Sequence, residues 1–285
     1  MDDAAFEVMQ PRRRETCAIF ASPHSGRDYP RDLIAASVLD SLAIRSSEDA
    51  FVDELFSAAT DHGAPLLVAR VPRAYVDFNR SASELDPALI RGVRPQPFNP
   101  RVSSGLGVIP RVVAGGRAIY AGKLPLGEAE DRIRRCWVPY HACVEALIRD
   151  SLARFGRAIL IDCHSMPREA LEGAGPGRPR PEVVLGDRFG LAASAAVSAT
   201  VEAAFAAEGF RVARNAPFAG AYVAERYGRP ARGVHVVQVE IDRSLYLDER
   251  RVVRRPGFAG VKARIARVVA AVCAYGRDAG RLAAE

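Results

Sequence analysis

The stretch ILIDCHSMP, residues 159–167, is an apolar run that ends in an acid, a thiol and an imidazole. Three consecutive branched or long aliphatic residues read as a strand covered on both faces. Polar side chains are costly to bury without partners, so their place at the end of such a strand calls for a reason. Side chains alternate along a strand, so Asp162 and His164 share one face and Cys163 looks the other way, as packing. In open α/β sheets ligands bind beyond the carboxyl ends of strands, and polar ends belong there.

Other segments carry the same signature. The run CAIFASPHSG (17–26) ends in His24, RAYVDFNR (73–80) places Asp77, Asn79 and Arg80 after apolar residues, and VHVVQVEID (234–242) closes with Glu240 and Asp242. Strands are predicted at 65–71, 74–79, 158–165, 183–186, 211–215 and 234–242, together with the run before His24. Helices are predicted over 46–63, with Ser47 as its cap, over 127–156 with a kink or break at Pro139, over 191–208, and over roughly 257–283. Strands that alternate with helices argue for one α/β domain spanning 1–285 with a mixed, mostly parallel, covered sheet. Residues 86–125 are rich in Pro, Gly and Arg with little periodicity, the profile of an irregular insertion that covers a site. Residues 168–182 read as a turn-rich loop.

Composition narrows the function. The chain has 285 residues, 49% of them apolar, as in ordinary globular proteins. The net charge of +6 comes almost entirely from Arg, since Lys occurs only at 123 and 262. Those cations are dispersed and not interleaved with aromatics, which argues against a nucleic-acid surface. The opening MDDAAFEVMQPRRRE has no apolar stretch of a secretory signal, and the Ala-rich run 190–207 is too weakly hydrophobic for a membrane span. Five cysteines without a CxxC pair read as free thiols of a reducing compartment, hence a cytoplasmic protein.

Two strand-end histidines, His24 and His164, point to a metal. Imidazole suits zinc, and a catalytic zinc keeps three protein ligands and an open position. No further strand-end His or Cys fits, so the third ligand is expected to be a carboxylate, Glu48 or Asp49. Glu240 has the setting of a general base. Arg80 is suited to grip a substrate carboxylate, and Arg73 to share that grip or polarise a carbonyl. Serine catalysis fits poorly, because there is no GxSxG elbow and Ser25 and Ser165 each follow a candidate metal ligand. A P-loop and a GxGxxG turn are also absent.

Taken together, SPHSGRDYP, SSEDAFVDELF, YVDFNRSASELDP, VPYHACVEALI, LIDCHSMP, VVLGDRFG, NAPFAGAYVAERYG and VHVVQVEIDRSLYLDE resemble, in order, the N-formylglutamate amidohydrolase family. They cover most of residues 18–250. The resemblance implies a three-layer α/β/α fold like that of zinc carboxypeptidases and aspartoacylases. It also implies zinc-dependent hydrolysis of N-formyl-L-glutamate, a small-molecule N-acyl amino acid, to formate and L-glutamate late in histidine breakdown. It places the metal on His24, Asp49 and His164, ranking Asp49 above Glu48. It puts Glu240 where related peptidases keep their base. Asn79 and Arg80 match the Asn-Arg pair with which aspartoacylases hold the substrate carboxylate. Gly220 and Tyr222 look like part of the substrate wall, and His141 is a further candidate there. The segment 91–120 is longer and richer in Arg than expected of the histidine-pathway enzyme, and the HxxE pair of the related peptidases is missing. Rival readings are an amidase acting on another N-acyl amino acid, a peptide or peptidoglycan, and a binding protein that keeps the fold without catalysis.

Overall fold

The computed structural model describes residues 4–94, 97–171 and 180–282. Its centre is a seven-stranded sheet. In chain order the strands are β1 (Phe6–Met9), β2 (Ala18–Ser22), β3 (Leu66–Ala69), β4 (Ala158–Met166), β5 (Val183–Gly186), β6 (Val212–Arg214) and β7 (Val234–Asp242). Their order across the sheet is β1-β3-β2-β4-β7-β5-β6. The inner strands β3, β2, β4 and β7 run parallel; β1 is antiparallel to β3, and β5 is antiparallel to β7. The expected mixed, mostly parallel sheet is therefore present.

Strands β4 and β7 occupy the middle, and every residue of both is buried. Helices cover both faces. On one side Leu160, Val234 and Val236 pack with Tyr140, Val144 and Leu147 of α1 (Val138–Phe155). On the other, Ile159, Ile161, Val237 and Val239 pack with α2 (Ala195–Ala207) and with Ile265 and Val269 of α4 (Phe258–Leu282). A short helix, α3 (Tyr222–Tyr227), lies between α2 and α4 in the chain.

The two faces differ at the carboxyl end. On the α2/α4 face Cys163, Val239 and Ile241 are wholly buried in the apolar core, and Ser165 is the polar residue at its carboxyl rim. The α1 face changes from Leu160 and Val236 to Asp162, His164, Gln238 and Glu240. The parallel register sets Gln238 beside Asp162 and Glu240 beside His164. Period-2 alternation thus delivers four polar side chains to one patch of one face.

Several boundaries differ from the sequence reading. Residues 74–79 form turns, not a strand. The peptide of Asp77 is held there by the carbonyl of Val108, 2.8 Å away, an interaction from outside the segment. The helix expected over 46–63 is broken into 3₁₀ turns (Ala43–Ser47, Ser57–His62) and the short helix Val52–Leu55. Phe51 interrupts it at φ 64°, so Ser47 caps nothing, and Asp49 stands in a bend. The long helix over 127–156 is a helix to Arg132, a π-turn over Ile133–Trp137, and then α1. Pro139 has no N–H for the preceding turn, which accounts for the widened ladder just before it. The edge strand β1 escaped the sequence reading. The middle of the turn-rich loop, 172–179, lies outside the described residues.

The described residues of 86–125 carry more regular structure than their composition suggests. It contains the short helix Pro100–Ser103 and a hairpin pairing Val112–Val113 with Arg117–Ala118. Val108, Ile109, Val113 and Ile119 anchor it in the α1-side core.

Because Ile161 fills the α2/α4 side and touches none of the polar patch, Ile161→Ala is expected to cost about 2–5 kcal/mol of stability in urea unfolding. A loss below about 1 kcal/mol would mean that this core collapses readily around the missing methylenes.

Candidate metal centre and cleft

His24 follows β2, and the carbonyl of His24 accepts the N–H of Asp49 at 3.0 Å. That one backbone bond brings the bend at Asp49 against the strand ends. His164 enters from β4. The three side chains meet with His164 Nδ1 3.0 Å from Asp49 Oδ2, the two Nδ1 atoms 3.1 Å apart, and His24 Nδ1 3.4 Å from Asp49 Oδ2. All three residues are buried.

Their outer atoms are occupied. His24 Nε2 lies 2.7 Å from Asp77 Oδ1, and His164 Nε2 lies 3.0 Å from Asp162 Oδ2. In each ring the carboxylate is placed to accept the Nε2 proton, which would leave Nδ1 as the inward-facing ligand to a cation, as second partners of metal-binding histidines do. Asp49 Oδ1 accepts hydrogen bonds from Arg243 Nη2 at 2.7 Å and Ser165 Oγ at 3.3 Å, which leaves Oδ2 facing the histidines. Two nitrogens and one oxygen converge without other obvious partners. Tetrahedral zinc with bonds of about 2.0–2.1 Å requires ligand separations of about 3.3 Å, so the donor set fits such an ion.

The electrostatics agree. Burial alone would raise the carboxyl of Asp49, but hydrogen bonds from His164 and His24 and the charge of Arg243 hold it well below the ordinary range. Burial likewise opposes ionisation of Asp77, and His24, Arg73 and Arg80 overcome it. Burial would lower His164, yet Asp162 and Asp49 raise it well above its usual value. These groups create a demand for positive charge at the point where the three ligand atoms meet.

The centre opens into a cleft of about 740 Å³, of a size for a small molecule. Arg73, Arg80, Gly220 and Glu240 all line it, as do Gln238, Ser165 and Arg243. Glu240 accepts from Gln238 Nε2 at 2.8 Å, and burial, only partly offset by His164, pushes its carboxyl up to about 7. Arg243, three residues beyond Glu240, pairs with Asp49. Arg73 donates to Asp77 Oδ2 at 2.8 Å. Arg101, Ser104, Leu106, Pro110 and residues 112–116 bring the insertion into the cleft wall.

Asn79 reaches the cleft, but both ends of its amide are engaged. Nδ2 lies 3.1 Å from Asp162 Oδ2 and 3.0 Å from His164 Nε2, and Oδ1 accepts the N–H of Val223 at 2.8 Å. Gln238 Oε1 similarly accepts the N–H of Ala221 at 2.8 Å. The loop that carries Gly220 is therefore pinned to both the metal centre and the candidate base. Gly220 has φ +109°, and a Cβ there would press on Ala224 and Arg188. Gly186 meets the same loop so closely that a Cβ would lie 2.5 Å from the nitrogen of Gly220.

His141 and Tyr222 do not line this cleft. His141 sits in α1, with Nε2 3.0 Å from the carbonyl of Phe78 and Nδ1 2.8 Å from the hydroxyl of Tyr227. Burial pulls it down to about 3, so it is a neutral packing histidine. Tyr222 packs near Trp137 and His141 and faces a separate groove with Glu225 and Arg226. Sequence reasoning gave no role to Arg101 or the two supporting acids and did not connect Arg243 with Asp49. For Asp162 the signal was available, two residues before His164 on the same strand face; for Asp77, Arg101 and Arg243 no spacing announces the contact.

The chain is similar to several known proteins. A sequence profile described as N-formylglutamate amidohydrolase matches residues 16–247. The N-formylglutamate deformylase of Pseudomonas aeruginosa is 29% identical over 279 residues, 95% of this chain and 98% of that protein. That of Pseudomonas putida is 25% identical over 234 residues, 81% and 82% of the two chains. The crystal structure of N-formylglutamate amidohydrolase from Ralstonia eutropha JMP134 superposes with a TM-score of 0.90 at 34% identity, covering 96% of this chain and 99% of that one. A gene product of Agrobacterium tumefaciens, Atu2144, shares the fold at a TM-score of 0.65 and 16% identity, over 95% and 96% of the chains. The chain belongs to the N-formylglutamate amidohydrolase family.

Proposed function

We propose that the protein is a zinc-dependent hydrolase that cleaves N-formyl-L-glutamate into formate and L-glutamate. The observation that carries this reading is the convergence of His24 Nδ1, His164 Nδ1 and Asp49 Oδ2 beside Glu240 in one cleft, in a chain whose relatives are named for that reaction. His24, Asp49 and His164 would hold the ion. When bound, the ion supplies Lewis acidity that makes water more acidic and polarises the acyl oxygen.

The chain's own groups do the rest. Glu240 takes a proton from the attacking water and delivers it to the departing amine nitrogen. Its partner Gln238 keeps one carboxylate oxygen turned away, so the other faces the cleft. Arg73, held by Asp77 at the cleft wall, is placed to direct an N–H towards negative charge on the acyl oxygen. Arg80 grips a substrate carboxylate, with Asn79 as a positioning residue behind it, and Gly220 forms the wall. The insertion 86–125 covers one side of the cleft. The bounded cleft favours an acyl amino acid over a peptide or peptidoglycan strand. The reaction for which the relatives are named favours a catabolic enzyme of histidine breakdown, and five free cysteines favour the reducing cytoplasm.

The proposal is tested by formate release from N-formyl-L-glutamate, measured after chelation and after zinc is restored. Loss followed by recovery is expected, and full activity in the chelated protein would refute the metal reading. Glu240→Gln should lower kcat by roughly 10²–10⁴-fold in a folded, metal-loaded protein. Burial disfavours the ionised form of Glu240, and the base acts ionised, so activity should fall as pH drops. The midpoint of that acid limb should lie at or below about 7, because a bound cation favours the carboxylate. An unchanged acid limb in Glu240→Gln would remove Glu240 from this role. Asp77→Asn frees the outer nitrogen of His24 and should weaken zinc roughly 10–100-fold in a chromophoric chelator competition. Unaltered affinity would show that Asp77 does not orient the ligand.

A further inference from the structure

Four guanidinium groups line the cleft: Arg73, Arg80, Arg101 and Arg243. Two are answered by acids within the protein, Arg73 by Asp77 and Arg243 by Asp49. Arg80 and Arg101 form no ion pair among the described residues. Arg80 is only 7% exposed. Its Nε donates to the carbonyl of Leu106 at 2.9 Å and its Nη1 to its neighbour's carbonyl, that of Asn79, at 3.0 Å. Carbonyl oxygens fix the guanidinium without neutralising it, and Nη2 remains for a ligand. Asp77 lies near enough to feel Arg80 but is ion-paired with Arg73, and a buried cation with no ion pair of its own is costly unless function keeps it.

Arg101 is fixed relative to Arg80 by a single residue. The N–H of Leu106 donates to the carbonyl of Arg101 at 2.8 Å, while the carbonyl of Leu106 holds Arg80. Asn99 caps the short helix by accepting the N–H of Arg101 at 2.9 Å. The backbone is thus anchored, and the exposed guanidinium is free to close on a ligand. The two cations also feel each other. Burial is the main cause that lowers Arg80; the charge of Asp77 opposes it, and repulsion from Arg73 and Arg101 adds to it.

Charge balance names the ligand. Asp49, Asp77, Asp162 and Glu240 are offset by Arg73, Arg243 and one divalent ion. Arg80 and Arg101 are left over, a surplus of two positive charges. We propose that Arg101, supplied by the 86–125 insertion, selects a dianionic acyl amino acid by holding its second carboxylate while Arg80 holds the first. This rests on the hydrolase reading above and adds the residue that sets substrate charge. A monoanionic N-acyl amino acid leaves one guanidinium unanswered.

The test compares N-formyl-L-glutamate with N-formyl-L-glutamine in wild type, Arg101→Gln and Arg101→Lys. Arg101→Gln should cut the preference for the glutamate compound roughly 10–100-fold, mainly through KM, and Arg101→Lys should restore part of it. An unchanged preference, or equal loss on both compounds, overturns the proposal. If wild type turns over neither compound, the hydrolase reading fails, and binding still decides the role of Arg101. Calorimetry of glutarate with the zinc-loaded proteins should then show at least roughly tenfold weaker binding in Arg101→Gln. Equal affinity, or no glutarate binding by wild type, counts against it.

Discussion

Two imidazoles face each other across 3.1 Å, with a carboxylate oxygen beside both. Nitrogen lone pairs and a buried anion repel at that distance, so the cluster is stable only with positive charge at its centre. A divalent cation bound there would supply it. Asp77 and Asp162 make the arrangement directional, since each accepts the outer proton of one ring and leaves the inner nitrogen free. Much of the surrounding structure holds these acids: Arg73 against Asp77, Asn79 against Asp162, and Arg243 against Asp49.

The sheet makes this cluster affordable. The carboxyl ends of β4 and β7 are polar on the α1 side, while Cys163, Val239 and Ile241 on the opposite face remain in the apolar core. Polar groups are thereby confined to a patch where they can partner one another. Gln238 and Asn79 extend the patch to the wall loop, so that the substrate contact at Gly220 and the groups around the reacting centre share a frame. Preorganisation of this kind requires partners that are themselves held in place.

Much of this was legible in the sequence because it depends on period-2 alternation. The run ILIDCHS predicts both the strand and the shared face of Asp162 and His164, and VVQVEID predicts Glu240 on a facing strand. Residues that arrive by loops were harder to read. The segment 74–79 looks like a strand but is a turn held by Val108, from a distant part of the chain. Asp49 looks like a first-turn helix acid, yet the left-handed Phe51 ends that helix before it includes Asp49. Arg243 reads as a neighbour of Glu240, but it crosses to Asp49, almost two hundred positions earlier. His141 and Tyr222 sit in motifs that the family resemblance marked out, and they pack behind the wall, away from the cleft. Local pattern carries the strand-borne half of the site; tertiary contacts carry the rest.

The central claim is that His24, His164 and Asp49 form one cation site through Nδ1, Nδ1 and Oδ2. Anomalous diffraction at the zinc edge, from crystals of the zinc-loaded protein, tests it most directly. The account predicts one strong peak at bonding distance from those three atoms, with Nε2 of each ring still on Asp77 and Asp162. A peak elsewhere, coordination through Nε2, or no peak in protein that retains zinc in solution would contradict it.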